Sequence, residues 1–122
     1  MLEFLDMNIP GVVGYRLEGK ISTREMNQVL DRFREIIDRG EKIHLYQEVT
    51  SLGGLELEAL VDKLRFFLDA GLSNFGRVAV VAEKKWIPRL VDFESKFVRH
   101  IDMRGFSMDE KEDALAFLRK GV

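Results

Sequence analysis

The chain has 122 residues, 46% of them hydrophobic, and its 19 lysines and arginines nearly balance its 21 aspartates and glutamates. A chain of this length buries about two thirds of its unfolded surface, which predicts a single domain over residues 1–122. The absence of cysteine excludes thiolate nucleophiles, zinc–thiolate sites and disulfide chemistry. The net charge of -2 argues against nucleic-acid binding. Neither a membrane span nor a secretion signal is predicted, so we expect a cytoplasmic protein.

The first forty residues predict two strands followed by a helix. Residues 2–7 alternate, residues 12–17 form a second run, and the turn signal between them predicts an antiparallel pair of strands. Ser22 and Glu25 have the spacing of a capping box, which predicts a helix start. Apolar residues then recur at steps of three and four until Gly40, which is expected to end the helix.

The rest of the chain alternates strands with helices. Strands are predicted at 43–49, 75–82 and 98–103, and helices at 57–68, at 86–95 and after the acidic segment 109–112. The order is therefore β-β-α-β-α-β-α-β-α. Such an order predicts an α/β fold with a mostly parallel mixed sheet of about five strands and four helices, the first strand lying at an edge.

Three stretches carry a resemblance to a known family. They are Gly19-Lys20-Ile21-Ser22 before Glu25-Met26, Arg77-Val78-Ala79-Val80-Val81 before Trp86, and the acidic run 109–114 before Phe117-Leu118. With them the chain resembles the SpoIIAA-like members of the STAS fold group, small bacterial proteins whose architecture is shared with the lipid-binding CRAL-TRIO domains. The resemblance implies a SpoIIAA-like (STAS-like) fold. The three stretches are features of the fold, and none of them is a catalytic motif.

The resemblance implies two alternative functions. As a STAS-like domain, the chain is expected to be a non-catalytic interaction or regulatory module that binds a protein partner. As a CRAL-TRIO-like domain, it would instead bind a small apolar or amphipathic ligand, with a pocket lined by Leu64, Phe66, Phe67 and Leu68. Plain core packing is the other interpretation of that apolar cluster. We expect no cofactor and no enzymatic activity.

The resemblance also draws attention to the loop after Val49. Anti-sigma-factor antagonists of this group carry an Asp-Ser-Ser-Gly-like sequence there, whose serine is phosphorylated. The present sequence has hydroxyls and glycines in this loop but not that order. Ser51, or alternatively Thr50, is thus a candidate phosphosite, and the other interpretation is a turn in which these hydroxyls bond backbone amides.

Loops at the carboxyl ends of parallel strands are where ligands collect in open α/β sheets. Two loops predicted at this rim supply the candidate residues for binding a partner or an anionic ligand: Thr50, Ser51, Gly53, Gly54, Lys84, Lys85 and Trp86. The two lysines stand at a predicted helix start, where cations oppose the helix dipole. An anionic ligand or acidic partner would explain them. Alternatively they are merely exposed and screened, and Trp86 packs in the core.

A polar row on the third strand is the remaining candidate. Period-two geometry places His44, Tyr46 and Glu48 on one face, and His100 and Asp102 share a face on the last predicted strand. Such groups are able to perform acid–base chemistry or to hold a metal, although an edge strand produces the same spacing. No nucleophile motif accompanies them, so we predict no catalytic residue and no metal site.

Self-association is also expected. Phe66 points away from the apolar stripe of its predicted helix, and the first strand is an edge with unpaired backbone groups. These two features favour a symmetric homodimer.

Overall fold

Five strands form one mixed sheet in the computed structural model, which describes residues 1–19, 21–51, 75–83 and 102–121. The strands are β1 (Leu2–Leu5), β2 (Val12–Glu18), β3 (Ile43–Ser51), β4 (Phe75–Ala82) and β5 (Asp102–Ser107). Two helices are described, α1 (Thr23–Asp38) and α2 (Lys111–Arg119), the second preceded by a 3-10 turn at Met108–Glu110. The predicted helices at 57–68 and 86–95 lie outside the described residues.

The strands are neighbours in sequence order, β1-β2-β3-β4-β5. β1 pairs antiparallel with β2, whereas β2/β3, β3/β4 and β4/β5 are all parallel. The predicted mostly parallel mixed sheet, with the first strand at its edge, is thereby confirmed. Parallel neighbours need crossover connections, so the carboxyl ends of β2 to β5 all reach the same edge of the sheet.

The start and end of α1 follow from local chemistry. The hydroxyl of Ser22 accepts the Glu25 N–H at 3.1 Å, and the Glu25 carboxylate accepts the Ser22 N–H at 3.1 Å. This is the predicted capping box, and it satisfies two helix-end donors at once. Gly40 takes a φ of +74°, a left-handed conformation that follows the last turn without the steric cost of a side chain.

The sheet is covered on both faces. α1 packs its apolar stripe on one face, where the Phe33 and Phe75 rings meet edge to face at 5.5 Å. On the other face, Ala114, Phe117 and Leu118 of α2 pack with Tyr46 and two small residues of β4. Because β4 is covered on both sides, its sequence is nearly continuously apolar. We call these the α1 face and the α2 face.

The predicted ends of the first and last strands are wrong. β1 ends at Leu5 and not at Met7, and β5 ends at Ser107 and not at Met103; residues 98–101 of the last predicted strand lie outside the described residues. Gly105 and Phe106 interrupt the alternation that begins at Asp102, so the sequence gave no clear signal for the end of β5. The N–H of Ser107 donates to the Glu110 carboxylate at 2.9 Å and caps the 3-10 turn, and α2 begins directly after Glu110, within the predicted segment 109–112.

The Ser22 cap gives a first prediction. Ser22→Ala removes the acceptor for the Glu25 N–H and should lower the free energy of unfolding by about 1 kcal/mol. Ser22→Thr, which keeps the hydroxyl, is the control and should stay close to the native value. Urea unfolding measures both, and an alanine variant as stable as the threonine one would contradict this role.

Candidate functional site

A buried carboxylate, that of Glu48, organises the carboxyl end of the α2 face. Only 5% of the Glu48 side chain is exposed. Its Oε1 lies 2.9 Å from Lys111 Nζ and 3.4 Å from Arg16 Nε, and its Oε2 accepts a hydrogen bond of 3.1 Å from the Tyr46 hydroxyl. We call Glu48, Tyr46, Arg16 and Lys111 the Glu48 network.

Three separate elements bring these residues together. Arg16 of β2 stands directly opposite Glu48 of β3 in the parallel register, and Tyr46 lies two residues earlier on the same face of β3. Lys111 is the first residue of α2, which follows the carboxyl end of β5. The network thus forms where the carboxyl ends of the strands meet the start of a helix, the region where open α/β sheets place their sites.

The position of Lys111 would otherwise be unfavourable. A cation in the first turn of a helix opposes the helix dipole by about 0.3–1 kcal/mol. The short contact with the buried Glu48 carboxylate explains why a lysine is tolerated there. Glu112 and Asp113, in the same first turn, carry the charge that the dipole favours.

The network moves the pKa values of its two acidic members apart. Burial alone would raise the pKa of Glu48, but the bond and charge of Lys111, the charge of Arg16 and the Tyr46 hydroxyl together hold it below 4.5. Burial, followed by the adjacent Glu48 charge, raises the pKa of Tyr46 above its usual value. At neutral pH the pair is therefore a carboxylate accepting from a protonated phenol.

His44 lies on the same face but belongs to another environment. It is four residues before Glu48, about 13 Å along the strand. The His44 ring is buried, its Nδ1 accepts the Arg77 backbone N–H at 3.0 Å, and Gly76 leaves the room in which the ring lies. Burial, then the charges of Lys42 and Arg77, lowers the pKa of His44. The predicted row is thus divided: Tyr46 and Glu48 are in contact, and His44 is a neutral imidazole at the amino end of the strand.

Within the described ranges, no group of three or more histidines, aspartates or glutamates is placed to hold a metal ion. Asp102 lies 3.6 Å from Arg77 Nε, whose guanidinium stacks 4.8 Å from the Phe117 ring centre and donates to the Phe117 carbonyl at 2.8 Å. This arginine connects β4, β5 and α2. His100, predicted to share a face with Asp102, lies outside the described residues.

The rim residues predicted from the sequence are only partly described. β3 runs two residues beyond the predicted end, so Thr50 and Ser51 lie in the strand and not in the loop. The half-buried Thr50 donates its hydroxyl to the Leu17 carbonyl at 3.3 Å, which ties β3 to β2. The Ser51 backbone pairs with Glu18. Gly53, Gly54, Lys84, Lys85 and Trp86 lie outside the described residues.

Sequence reasoning missed Arg16 and Lys111. Each had one signal: Arg16 is a charge between Tyr15 and Leu17 in a mostly apolar strand, and Lys111 is a cation at a helix start. Neither signal identifies Glu48 as the partner, because that contact depends on the register of β2 on β3 and on the packing of α2. The sequence therefore indicated the Tyr46–Glu48 pair but not the cations that keep Glu48 ionised.

Removing Lys111 should cost stability well beyond that of a surface ion pair. Lys111→Met leaves Glu48 buried with one cation fewer and should lower the free energy of unfolding by about 2 kcal/mol, less than for a fully buried pair because the lysine is 44% exposed. The control is Arg34→Met, which breaks the exposed pair with Asp31 and should cost less than about 0.5 kcal/mol. Equal losses in urea unfolding would contradict the network's role.

His44 should make stability depend on pH in mildly acidic solution. Because the pKa of His44 is lower in the folded chain than its ordinary 6.5, the unfolded chain binds the proton more readily below that pH. The contribution of His44 to the free energy of unfolding is therefore fully present above pH 6.5 and decreases as the pH falls below it. His44→Gln, whose amide oxygen is still able to accept the Arg77 N–H, should lose this slope in urea midpoints measured from pH 7.5 to 5. An unchanged slope would contradict the assignment.

Comparison with known proteins places the chain in a family. The family model described as SpoIIAA-like matches residues 12–119, which run from the first residue of β2 to the last residue of α2. No curated protein and no solved structure matches the chain significantly. No described helix is both long and apolar enough to cross a membrane. The match covers most of the chain, and the chain belongs to the SpoIIAA-like family.

Proposed function

We propose that this chain is a non-catalytic, STAS-like regulatory domain that acts by binding a protein partner. Membership of the SpoIIAA-like family supports a STAS-like domain. The choice of binding over catalysis rests on the chemistry of the Glu48 network. The expected location is the cytoplasm.

The directions of the pKa shifts carry the proposal. A general acid or base works best with a pKa near the pH of the reaction, and enzymes raise carboxyl pKa values or lower those of other groups to reach it. Here the shifts run the other way, since the pKa of Glu48 is lowered and that of Tyr46 is raised. Both Glu48 oxygens also accept from partners within the chain. The network is thus suited to holding the sheet and α2 together.

The proposed contact surface is the rim at the carboxyl ends of the strands. We propose that it comprises Thr50, Ser51, Gly53 and Gly54, at and after the end of β3, and Lys84, Lys85 and Trp86, which follow β4 in the sequence. An acidic partner surface would complement the two lysines. Ser51, the last residue of β3, is proposed as the phosphosite of this rim.

The CRAL-TRIO-like alternative requires a ligand held between the sheet and a helix. Two grooves in the described part of the chain, of about 630 Å³ and 290 Å³, open along β1 at the edge of the sheet. An enclosed cavity of a few hundred Å³ is the typical small-ligand site. The residues predicted to line such a pocket, Leu64, Phe66, Phe67 and Leu68, lie outside the described residues. A small bound ligand is the outcome that would contradict the proposal.

Intact mass under native and denaturing conditions tests the proposal. The protein, purified gently from the cells that produce it, should appear natively as a complex that denatures into this chain and a second polypeptide. A variant with Lys84→Glu and Lys85→Glu should lose that polypeptide. The matched control, Lys42→Glu with Lys120→Glu, changes the same charge at exposed residues outside the rim and should keep it.

Two results would overturn the proposal. A native mass increment of a small molecule, lost on denaturation, would indicate a ligand carrier, and a bare chain in every sample would exclude stable partner binding. A covalent phosphoryl increment that disappears in Ser51→Ala would support the proposed phosphosite.

A further inference from the structure

The outer edge of β1 is an interaction surface separate from the rim. We propose that it docks an extended, basic segment of a partner protein, which adds a sixth strand to the sheet. This inference goes beyond the proposed function because it concerns the edge strand and groups that the rim does not share. It stands on the backbone hydrogen bonds, the grooves and the charges around β1.

The hydrogen-bond pattern of β1 shows which groups face outward. The Met1 amino group donates to the Glu18 carbonyl, and the Glu18 N–H donates to the Met1 carbonyl at 2.8 Å. Residues 1 and 18 are thus a hydrogen-bonded pair of the antiparallel ladder. Since such pairs alternate with non-hydrogen-bonded ones, the N–H and C=O groups of Leu2 and Phe4 point away from β2.

One of these outward groups is already used. The Leu2 N–H donates to the Glu25 carboxylate, whose other oxygen accepts from Ser22 in the capping box. In residues 1–19, 21–51, 75–83 and 102–121, no hydrogen bond reaches the outward N–H or C=O of Phe4. An added strand would therefore form its backbone hydrogen bonds with Phe4. Glu25 would end the pairing on one side, because its carboxylate already accepts the Leu2 N–H.

Open grooves lie beside Phe4, where side chains of an added strand would fall. One of about 630 Å³ runs from Phe4 along residues 5–10, and one of about 290 Å³ lies between Phe4 and the exposed side of α1. Both include Arg32, whose guanidinium lies 4.8 Å from the Phe4 ring centre. The half-buried Phe4 ring also meets Tyr15 edge to face at 6.5 Å. A β-branched side chain of the partner would pack on this fixed ring.

The charges around the edge select a basic occupant. Three exposed carboxylates line the grooves on the Phe4 side of the edge, those of Asp6, Asp31 and Glu35. Asp31 lies 3.2 Å from Arg34, and Arg32 stacks on Phe4, whereas no ion pair involves Asp6 or Glu35 within the described ranges. Lysines or arginines two residues before and after the side chain that packs on Phe4 would point to the same side and complement this acidic border.

Charges at this edge also oppose a second copy of this chain as the occupant. A two-fold axis at Glu3 would place two Glu3 carboxylates opposite each other, which destabilises a strand pair. An axis at Phe4 would bring Asp6 of one copy against Leu2 of the other, beside the Glu25 carboxylate. β1 has 4 residues, so edge pairing alone would also fall short of the roughly 1,000 Å² of a stable dimer.

Binding of a defined peptide tests the proposal. The probe is an acetylated, amidated heptapeptide of threonines with valine at its fourth position and lysine at its second and sixth positions, which point to the same side as the valine, and the comparison peptide has glutamate in place of lysine. In NMR titrations, the lysine peptide should shift the β1 amides and slow hydrogen exchange at the Phe4 N–H. The glutamate peptide should bind at least about tenfold more weakly, because its charges face the acidic border.

Two substitutions at Phe4 separate the backbone from the ring. Phe4→Pro and Phe4→Ala both lose the ring, but only proline loses the outward N–H, and the β1–β2 hydrogen bonds do not use that N–H. The proline variant should bind the lysine peptide about tenfold more weakly than the alanine variant. Its Met1–Glu18 pairing, checked by cross-strand NMR contacts, should persist.

Three results would overturn the edge proposal and leave the rim proposal unaffected. They are equal affinities of the two Phe4 variants, shifts that map away from β1 at millimolar peptide, and a native dimer in which the Phe4 N–H is already protected. The variant with Lys84→Glu and Lys85→Glu should bind the peptide as the native chain does. Failure of the rim proposal and failure of the edge proposal are therefore separate outcomes.

Discussion

Burying the Glu48 carboxylate is the constraint on which the carboxyl end of the α2 face depends. An ionised carboxylate out of water costs several kcal/mol unless cations and hydrogen-bond donors surround it. Arg16, Tyr46 and Lys111 supply those partners from β2, β3 and α2. Each of these elements must therefore be in its correct register before the charge is satisfied, which makes this carboxylate a check on the relative placement of three parts of the fold.

The same arrangement decides what this region is able to do. A carboxylate in contact with two cations and a phenol is a strong structural acceptor, and its pKa is lowered and not raised toward neutrality. His44, on the same face, is kept neutral by burial at the amino end of the strand. We therefore place function on surfaces that the scaffold presents and not on chemistry inside it. We propose the rim and the β1 edge as such surfaces, the first for an acidic partner and the second for a basic segment.

Much of the fold was predictable from local patterns. β4 has the predicted bounds because a continuous apolar run at residues 75–82 fits a strand covered on both faces. The start of α1 followed from two residues, Ser22 and Glu25, whose spacing is itself the mechanism of the cap. The end of β5 was misplaced because Gly105 and Phe106 interrupt the alternation that begins at Asp102.

The candidate site was only half predictable, for a physical reason. Period-two geometry put Tyr46 and Glu48 on one face, and the structure confirms their contact. The cations that lower the pKa of Glu48 come from elements far apart in the chain, so only the tertiary register joins Arg16 and Lys111 to Glu48. The sequence also suggested that His44 would act with them, because alternation fixes the face of a strand residue but not its distance from the others.

Titration of the Glu48 carboxyl carbon by ¹³C NMR tests the central claim most directly, with Glu48→Gln identifying the resonance. If the network holds this group as a structural anion, its pKa in the folded chain lies below the ordinary glutamate value of 4.5. The resonance then stays in its ionised position across the neutral range. A Glu48 pKa near 7 would show a carboxyl group prepared for proton transfer and would contradict the non-catalytic account.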